Sequence, residues 1–238
     1  MKVKAYLTSL RVDTEIEVVA NSINPKKFNK HNSDYLHKRL SLEPNSKILL
    51  WVGRLEKEKN PVFIYQTFIR TVKKIPANIH LVYVGIGTLD TQIRRMMIKD
   101  KLKGRVHFLG MVPNELMPEV YNSATLWLSA SLTEVQPMWA IEAVCCGLPG
   151  LVIKDSAWDE IIVDKKNGYV AQNERQFGQL LSKFLADDEA IRNMSLNSVS
   201  LSSKFFGKET AEKMLQVYNK VLGNKKNHFL DFFSRTTK

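Results

Sequence analysis

From Lys47 onward, short β-rich apolar runs alternate with amphipathic stretches of helical period, and that rhythm leaves few folds open. ILLWV, IHLVYV, VHFLG, TLWLSA, GLVI and GYVA read as strands. Residues 61–74, 89–101, 115–122 and 137–146 between them read as helices, and 174–186, 188–204 and 208–222 follow as three more. Strands that alternate with helices require right-handed crossovers, so the fold class is α/β, a mainly parallel sheet with helices on both faces. In such a sheet ligands gather at the carboxyl ends of the strands.

The flanks read differently. Residues 1–45 hold an extended stretch at 16–20 and a polar, asparagine- and proline-containing stretch at 21–45, expected as a linker with one short helix. Residues 46–222 form the regular domain, and 223–238 a basic, aromatic tail with Phe229, Phe232 and Phe233. No apolar run approaches the roughly 20 residues of a bilayer-spanning helix, and the N-terminus lacks the pattern of a secretory signal, so a cytoplasmic location is expected. Cys145 and Cys146 are adjacent, a spacing that suits neither an ordinary disulfide nor a zinc site, and read as small core residues. The net charge of +11 favours anionic partners: phosphates, nucleic acids or lipid headgroups. One basic stretch, 88–103, interleaves Arg94, Arg95 and Lys99 with Met96, Met97 and Ile98 and reads as a solvated helix face, with peripheral membrane contact as the sharper alternative.

Three loops could carry chemistry. VGRLEKEKNP places Gly53, Arg54 and Lys59 between a strand and a helix that Asn60 would cap and Pro61 open. A forked guanidinium beside a mobile ammonium suits a diphosphate. YVGIGTLD offers Gly85 and Gly87, but Asp90 stands where the dinucleotide fingerprint needs a third glycine, so a structural turn is the simpler reading and NAD is disfavoured. In TEVQPMWAIEAV, Glu134 lies in a post-strand loop and Glu142, after seven intervening residues, in the second turn of a helix opened by Pro137 and Met138. The helix start can receive an anionic phosphate, and the carboxylates can accept hydroxyl donors from a ribose or a sugar ring.

Taken together these segments, with EVVANSINPKKF, HFLGMVP and GLPG followed by NGYV, resemble the C-terminal, Rossmann-like domain of family 4 retaining glycosyltransferases, which have the two-domain GT-B fold. The resemblance covers about residues 16–222. It implies that Arg54 and Lys59 are the donor-phosphate cations, that Glu142 holds the nucleotide ribose, that Glu134 stands at the donor sugar, and that the loop at Gly110, Met111 and Val112 walls the base. Gly53, Gly85, Pro137 and Met138 complete the implied donor site, with Glu134, Arg54 and Lys59 as its catalytic members. It further implies a UDP- or GDP-linked hexose as donor substrate, no required cofactor, no metal, and transfer to an acceptor hydroxyl with retention.

Two departures stand out. Val135-Gln136-Pro137-Met138 replaces a glycine-containing turn, and proline has no N–H to offer a sugar. The family's acceptor-binding half, with its catalytic histidine, should precede this region, and none of His31, His37, His80, His107 and His228 falls at its place. The expectation is a donor domain that needs the missing half in cis or in trans and turns over little alone. A Glu-Val-Gln pattern like that of diacylglycerol glucosyltransferases would fit a peripheral site at the inner face of the membrane. The competing reading is a non-catalytic nucleotide-sugar-binding partner or regulatory subunit. Nucleic-acid binding is set aside because no recognition element accompanies the charge, and Trp51, Phe108 and Trp127 fall in strands as core residues.

Overall fold

The computed structural model describes residues 2–75, 78–131 and 133–222. The 223–238 tail, with His228 and its three phenylalanines, lies outside the described residues. The chain opens with helix α1 (Lys2–Ser9), which buries no side chain, and α2 (Tyr35–Leu40). Then follow β1 (Lys47–Val52), α3 (Pro61–Val72), β2 (Ile79–Val84), α4 (Asp90–Lys99), β3 (Val106–Phe108) and α5 (Met117–Asn122). The second half comprises β4 (Leu126–Ser129), α6 (Met138–Cys145), β5 (Gly150–Ile153), β6 (Gly168–Ala171), α7 (Glu174–Leu185), α8 (Asp188–Ser202) and α9 (Gly207–Leu222).

The six strands form one sheet in the order β3-β2-β1-β4-β5-β6, every pairing parallel. Both faces are covered, so the strands are apolar throughout rather than alternating. Leu49, Trp51, Leu81, Tyr83 and Leu128 point into one core with Phe63, Ile64 and Phe68 of α3, Ile93 of α4 and Phe177 of α7. Ile48, Leu50, Val82, Trp127 and Val152 point into the other with Leu36 of α2, Val120 of α5 and Ile141 and Val144 of α6. Each fully buried large aliphatic or aromatic side chain here contributes about 1.5–3 kcal/mol. The 21–45 stretch adds Ile23, Phe28 and Leu36 to the second core. Ile23 is also tied by its N–H to the Phe205 carbonyl at 2.8 Å.

Several local readings sharpen. Asn60 does stand at the start of α3, but its side chain makes no capping bond. It takes a left-handed backbone (φ 53°), which asparagine tolerates and which turns the chain into Pro61. Phe108 is half-buried rather than core, stacked on Tyr83 at 5.2 Å with the Arg94 guanidinium over its other side. On α4, Ile93 and Met97 are buried while Ile98 is 64% exposed, and Asp90 pairs with Arg94. Cys145 and Cys146 are buried and unbridged. Among the described residues, no helix is long and apolar enough to cross a membrane.

Candidate functional site

The sheet order reverses between β1 and β4: the chain winds outward through β2 and β3 on one side and through β5 and β6 on the other. Where the order reverses, the loops leaving two adjacent strands part and open a crevice at the carboxyl edge. Gly53, Arg54 and Lys59 leave β1 there, and Thr133 and Glu134 leave β4.

Lys59 ends a short 3-10 turn, Lys57–Lys59, and its Nζ lies 2.6 Å from Glu134 Oε1. Both side chains are shielded, 18% and 12% exposed, so the pair is held more tightly than a surface ion pair. Thr133 Oγ1 lies 3.5 Å from the same ammonium. Arg54 is placed differently: 73% exposed, it bonds Glu58, four residues on, at 3.1 Å. The structure thus joins Lys59 to Glu134 and leaves Arg54 outside that pair.

The start of α6 follows this pair closely, Pro137 standing three residues after Glu134. Pro137 occupies the cap position with an extended backbone, and Ala140 makes the first intrahelical bond, to the Pro137 carbonyl at 3.1 Å. The first turn carries no acidic residue, so its N–H groups and positive dipole end are available to an anion. Glu142, one turn further, is only 9% exposed and accepts a bond from the Tyr121 hydroxyl of α5 at 2.9 Å. Burial pushes its carboxyl above the ordinary range, opposed by the Tyr121 bond and the nearby Lys27. Its second oxygen remains able to accept a hydroxyl donor.

The glycines serve backbone packing. A Cβ on Gly85 (φ 127°) would lie 1.9 Å from the Gly53 carbonyl oxygen, and one on Gly87 2.5 Å from that of Leu55. Gly85 N–H donates to the Gly110 carbonyl at 2.8 Å, locking the β2 and β3 loops together. Both positions therefore require glycine for backbone packing. Met111, just beyond, is 73% exposed, and Ile86 (57%) after β2, Val135 (52%) after β4 and Met138 (39%) at the start of α6 are exposed as well.

Sequence reasoning missed three contributors. Lys2 of α1 bonds both Asp155 oxygens at 2.7 and 2.8 Å and reaches the Glu134 carbonyl at 3.4 Å. Gln136 bonds Asn21 and Glu160. Tyr121 supplies the partner of Glu142. Gln136 stood out only as part of the Val135–Met138 departure and the Glu-Val-Gln pattern, and Asp155, the partner of Lys2, by its place just past a strand's carboxyl end. Among the described residues no cluster of three or more His, Cys, Asp or Glu side chains is placed to hold a metal ion.

The sequence model of the family "Glycosyl transferases group 1" matches residues 32–199, more than half of the chain. The alpha-monoglucosyldiacylglycerol synthase of Acholeplasma laidlawii is 26% identical over 235 residues, which cover 97% of this chain and 58% of that protein. The N-acetyl-alpha-D-glucosaminyl L-malate synthase of Bacillus anthracis is 25% identical over 92% of this chain and 57% of its own length. The chain thus spans little more than half the length of these relatives. Among solved structures, S. aureus TarM in complex with fondaparinux, alpha-GlcNAc-glycerol and UDP is similar in fold, with a TM-score of 0.77 at 19% identity over 92% of this chain and 43% of TarM. The C-terminal domain of the group 1 glycosyl transferase LpcC from Francisella tularensis is covered over 97% of its length, with a TM-score of 0.67 at 21% identity over 76% of this chain. The chain belongs to the group 1 glycosyl transferases and has the fold of their C-terminal GT-B domain.

Proposed function

We propose that this chain is the donor-binding domain of a retaining hexosyltransferase that takes a UDP-linked hexose and passes it to an acceptor hydroxyl of a glycolipid or cell-surface glycan. The observation that carries the reading is the shielded Lys59–Glu134 pair beside the open start of α6, at the point where the sheet order reverses. In transfer, the bond from the sugar's anomeric carbon to the β-phosphate oxygen breaks, a bond to the acceptor oxygen forms, and the acceptor proton departs. Negative charge then grows on the leaving diphosphate. Lys59, Arg54 and the first N–H groups of α6 meet it, the role a metal ion has elsewhere, so none is required. Glu134 accepts hydroxyls of the hexose, and Glu142 accepts those of the ribose through the oxygen Tyr121 does not use. Gly53 and Gly85 let the backbone come close, Met111 borders the base, and Pro137 and Met138 border the phosphates.

UDP is favoured over GDP because TarM, similar in fold, is described in complex with UDP. A lipid acceptor is favoured by the name of the Acholeplasma relative, a diacylglycerol-linked glucosyl synthase, and by the net charge of +11, which suits peripheral contact with the cytoplasmic face of a membrane. In this reading residues 46–222 are the donor domain, residues 1–45 lead into it, and the acceptor-binding half acts in cis or in trans. The chain by itself binds donor and does not turn over.

The test is calorimetric titration of the chain with UDP, GDP and NAD, alongside Arg54→Ala and Glu142→Ala. Binding of UDP that weakens about tenfold in each variant, about 1.4 kcal/mol, is the expected result. A folded chain that binds none of the three nucleotides overturns the reading.

A further inference from the structure

Gln136 occupies the place where the glycine turn of the resemblance is missing, and its bonds reach in two directions. Its Oε1 accepts from the Asn21 backbone N–H at 2.7 Å, and its carbonyl accepts from Asn21 Nδ2 at 3.3 Å. Its Nε2 donates to Glu160 Oε2 at 3.1 Å. Both posts are fixed. Asn21 is two residues from Ile23, which is buried and bonded to the Phe205 carbonyl. Glu160 sits between Trp158 and Ile161, both buried in the second core. Gln136 itself is two residues from Glu134.

Packing holds this loop at Pro137, which is buried, but leaves Val135 open. Val135 is 52% exposed, and a cavity of about 410 Å³ lies against Val135 and Gln136, bordered by Val19, Asn21 and Glu160. A loop with open space behind it keeps its place through directional bonds: Lys59 and Lys2 reach Glu134 itself, and Gln136 is the residue that ties the loop to two further segments. We propose that Gln136 is a positioning residue for the donor sugar: it clamps the loop carrying Glu134 between the entry segment at Asn21 and the post-β5 loop at Glu160. The inference rests on the donor-site reading above and adds a residue to it. It also gives the site a lever, because displacement of the entry segment pulls on the loop that holds the Glu134 carboxylate. A misplacement of about 1 Å at such a contact costs on the order of a hundredfold in a reacting complex.

The clamp acts on the sugar and not on the diphosphate, and this separates it from a general structural role. The chain and its Gln136→Leu variant are titrated with UDP, UDP-glucose and UDP-N-acetylglucosamine. The expected result is a UDP affinity no weaker than the parent's, since a displaced Glu134 can only free the Lys59 ammonium, and a loss of at least about fivefold for whichever UDP-sugar the parent prefers over UDP. Asn21→Ala, which removes only the bond to the Gln136 backbone carbonyl, shifts the same ratio in the same direction by less, and the double variant loses more than Gln136→Leu alone, because the two changes remove different bonds of one clamp. Equal losses for UDP and UDP-sugar overturn the proposal in favour of plain destabilisation. Unchanged affinities overturn it outright, as does a parent chain that binds both UDP-sugars no more tightly than UDP, since Glu134 then addresses no sugar. A folded parent that fails to bind UDP itself marks the failure of the donor-site reading instead.

Discussion

Lys59 and Glu134, 75 residues apart in the chain, meet at 2.6 Å across the crevice between the β1 and β4 loops. Without ligand, each neutralises the other, and a diphosphate must draw the ammonium away from or past the carboxylate. On the proposed donor-site reading the two residues should therefore have opposite effects on nucleotide binding. Lys59→Ala weakens UDP about tenfold, while Glu134→Gln releases the ammonium and tightens UDP by about threefold to tenfold, up to about 1.4 kcal/mol. The same Glu134→Gln change removes the preference for UDP-sugar over UDP. Calorimetry on the two variants decides; losses of equal size in both would show that the pair acts only as a structural brace.

Arg54 works from an exposed position. Its bond to Glu58 at 3.1 Å is solvent-exposed and contributes at most about 1 kcal/mol to stability. Arg54→Ala should leave the melting temperature almost unchanged while weakening UDP about tenfold at low salt. Because the guanidinium is exposed, the deficit should shrink as salt approaches about 1 M, where screening acts over about 3 Å. A deficit that does not change with salt would place Arg54 in a shielded contact with the nucleotide.

The order of elements was readable because both-faced burial leaves strands as unbroken apolar runs: all six, from ILLWV to GYVA, fall where their composition places them. Helix α1 was not, since KVKAYLTS has no capping residue and buries no side chain, so neither end nor face announces it. At the candidate site, the strand-to-helix loops that carry Arg54, Lys59 and Glu134, and the helix that carries Glu142, were legible from the alternation of elements, while the roles proposed for these residues come from the resemblance. Their pairings were not legible. Lys59 chooses Glu134 over the nearby Glu58, and Glu142 chooses Tyr121, through side-chain geometry between elements that no local period encodes. Gln136 was noticed only for the glycine it is not, whereas its bonds to Asn21 and Glu160 depend on how three separate segments converge.

Glu142 sets function against stability. Burial holds its carboxyl above the ordinary 4.5, so the folded state favours the protonated form and loses stability as pH rises through that raised value. Glu142→Gln keeps an acceptor for the Tyr121 hydroxyl and removes the cost of a buried charge. The variant should melt higher than the parent at pH 7.5, with the gap closing below about pH 4.5, and should bind UDP about tenfold more weakly. A variant less stable than the parent at pH 7.5 would mean that the ionised carboxylate has a stabilising partner in the folded protein.

His80 and His107 stand on β2 and β3, on the face of the second core, with His80 Nδ1 3.1 Å from His107 Nε2 and His80 Nε2 2.7 Å from Asn78 Oδ1. Asn78 in turn donates to Ser46 Oγ at 2.9 Å, which fixes its oxygen toward His80. The network places the His80 proton on Nε2 and leaves Nδ1 to accept from His107, and only the Gly104 backbone favours a second proton, against burial and the neighbouring charges. Burial, the neighbouring His107 and Arg105 together hold His80 down at about 4, and burial holds His107 below the ordinary 6.5. For a base held down in the fold, the unfolded chain takes the proton first. Stability is therefore full above about pH 6.5 and declines as pH falls toward 4, by at most about 3 kcal/mol for His80. Glu142 acts with the opposite sign over part of this range, since its protonation favours the fold, so the comparison is made within one background. Thermal melts from pH 7.5 to 5 should show a steeper fall for the parent than for His80→Gln, whichever is more stable at neutral pH. Parallel curves for the two proteins would show that His80 carries the same proton load folded and unfolded, and that the pair is not what makes this domain acid-sensitive.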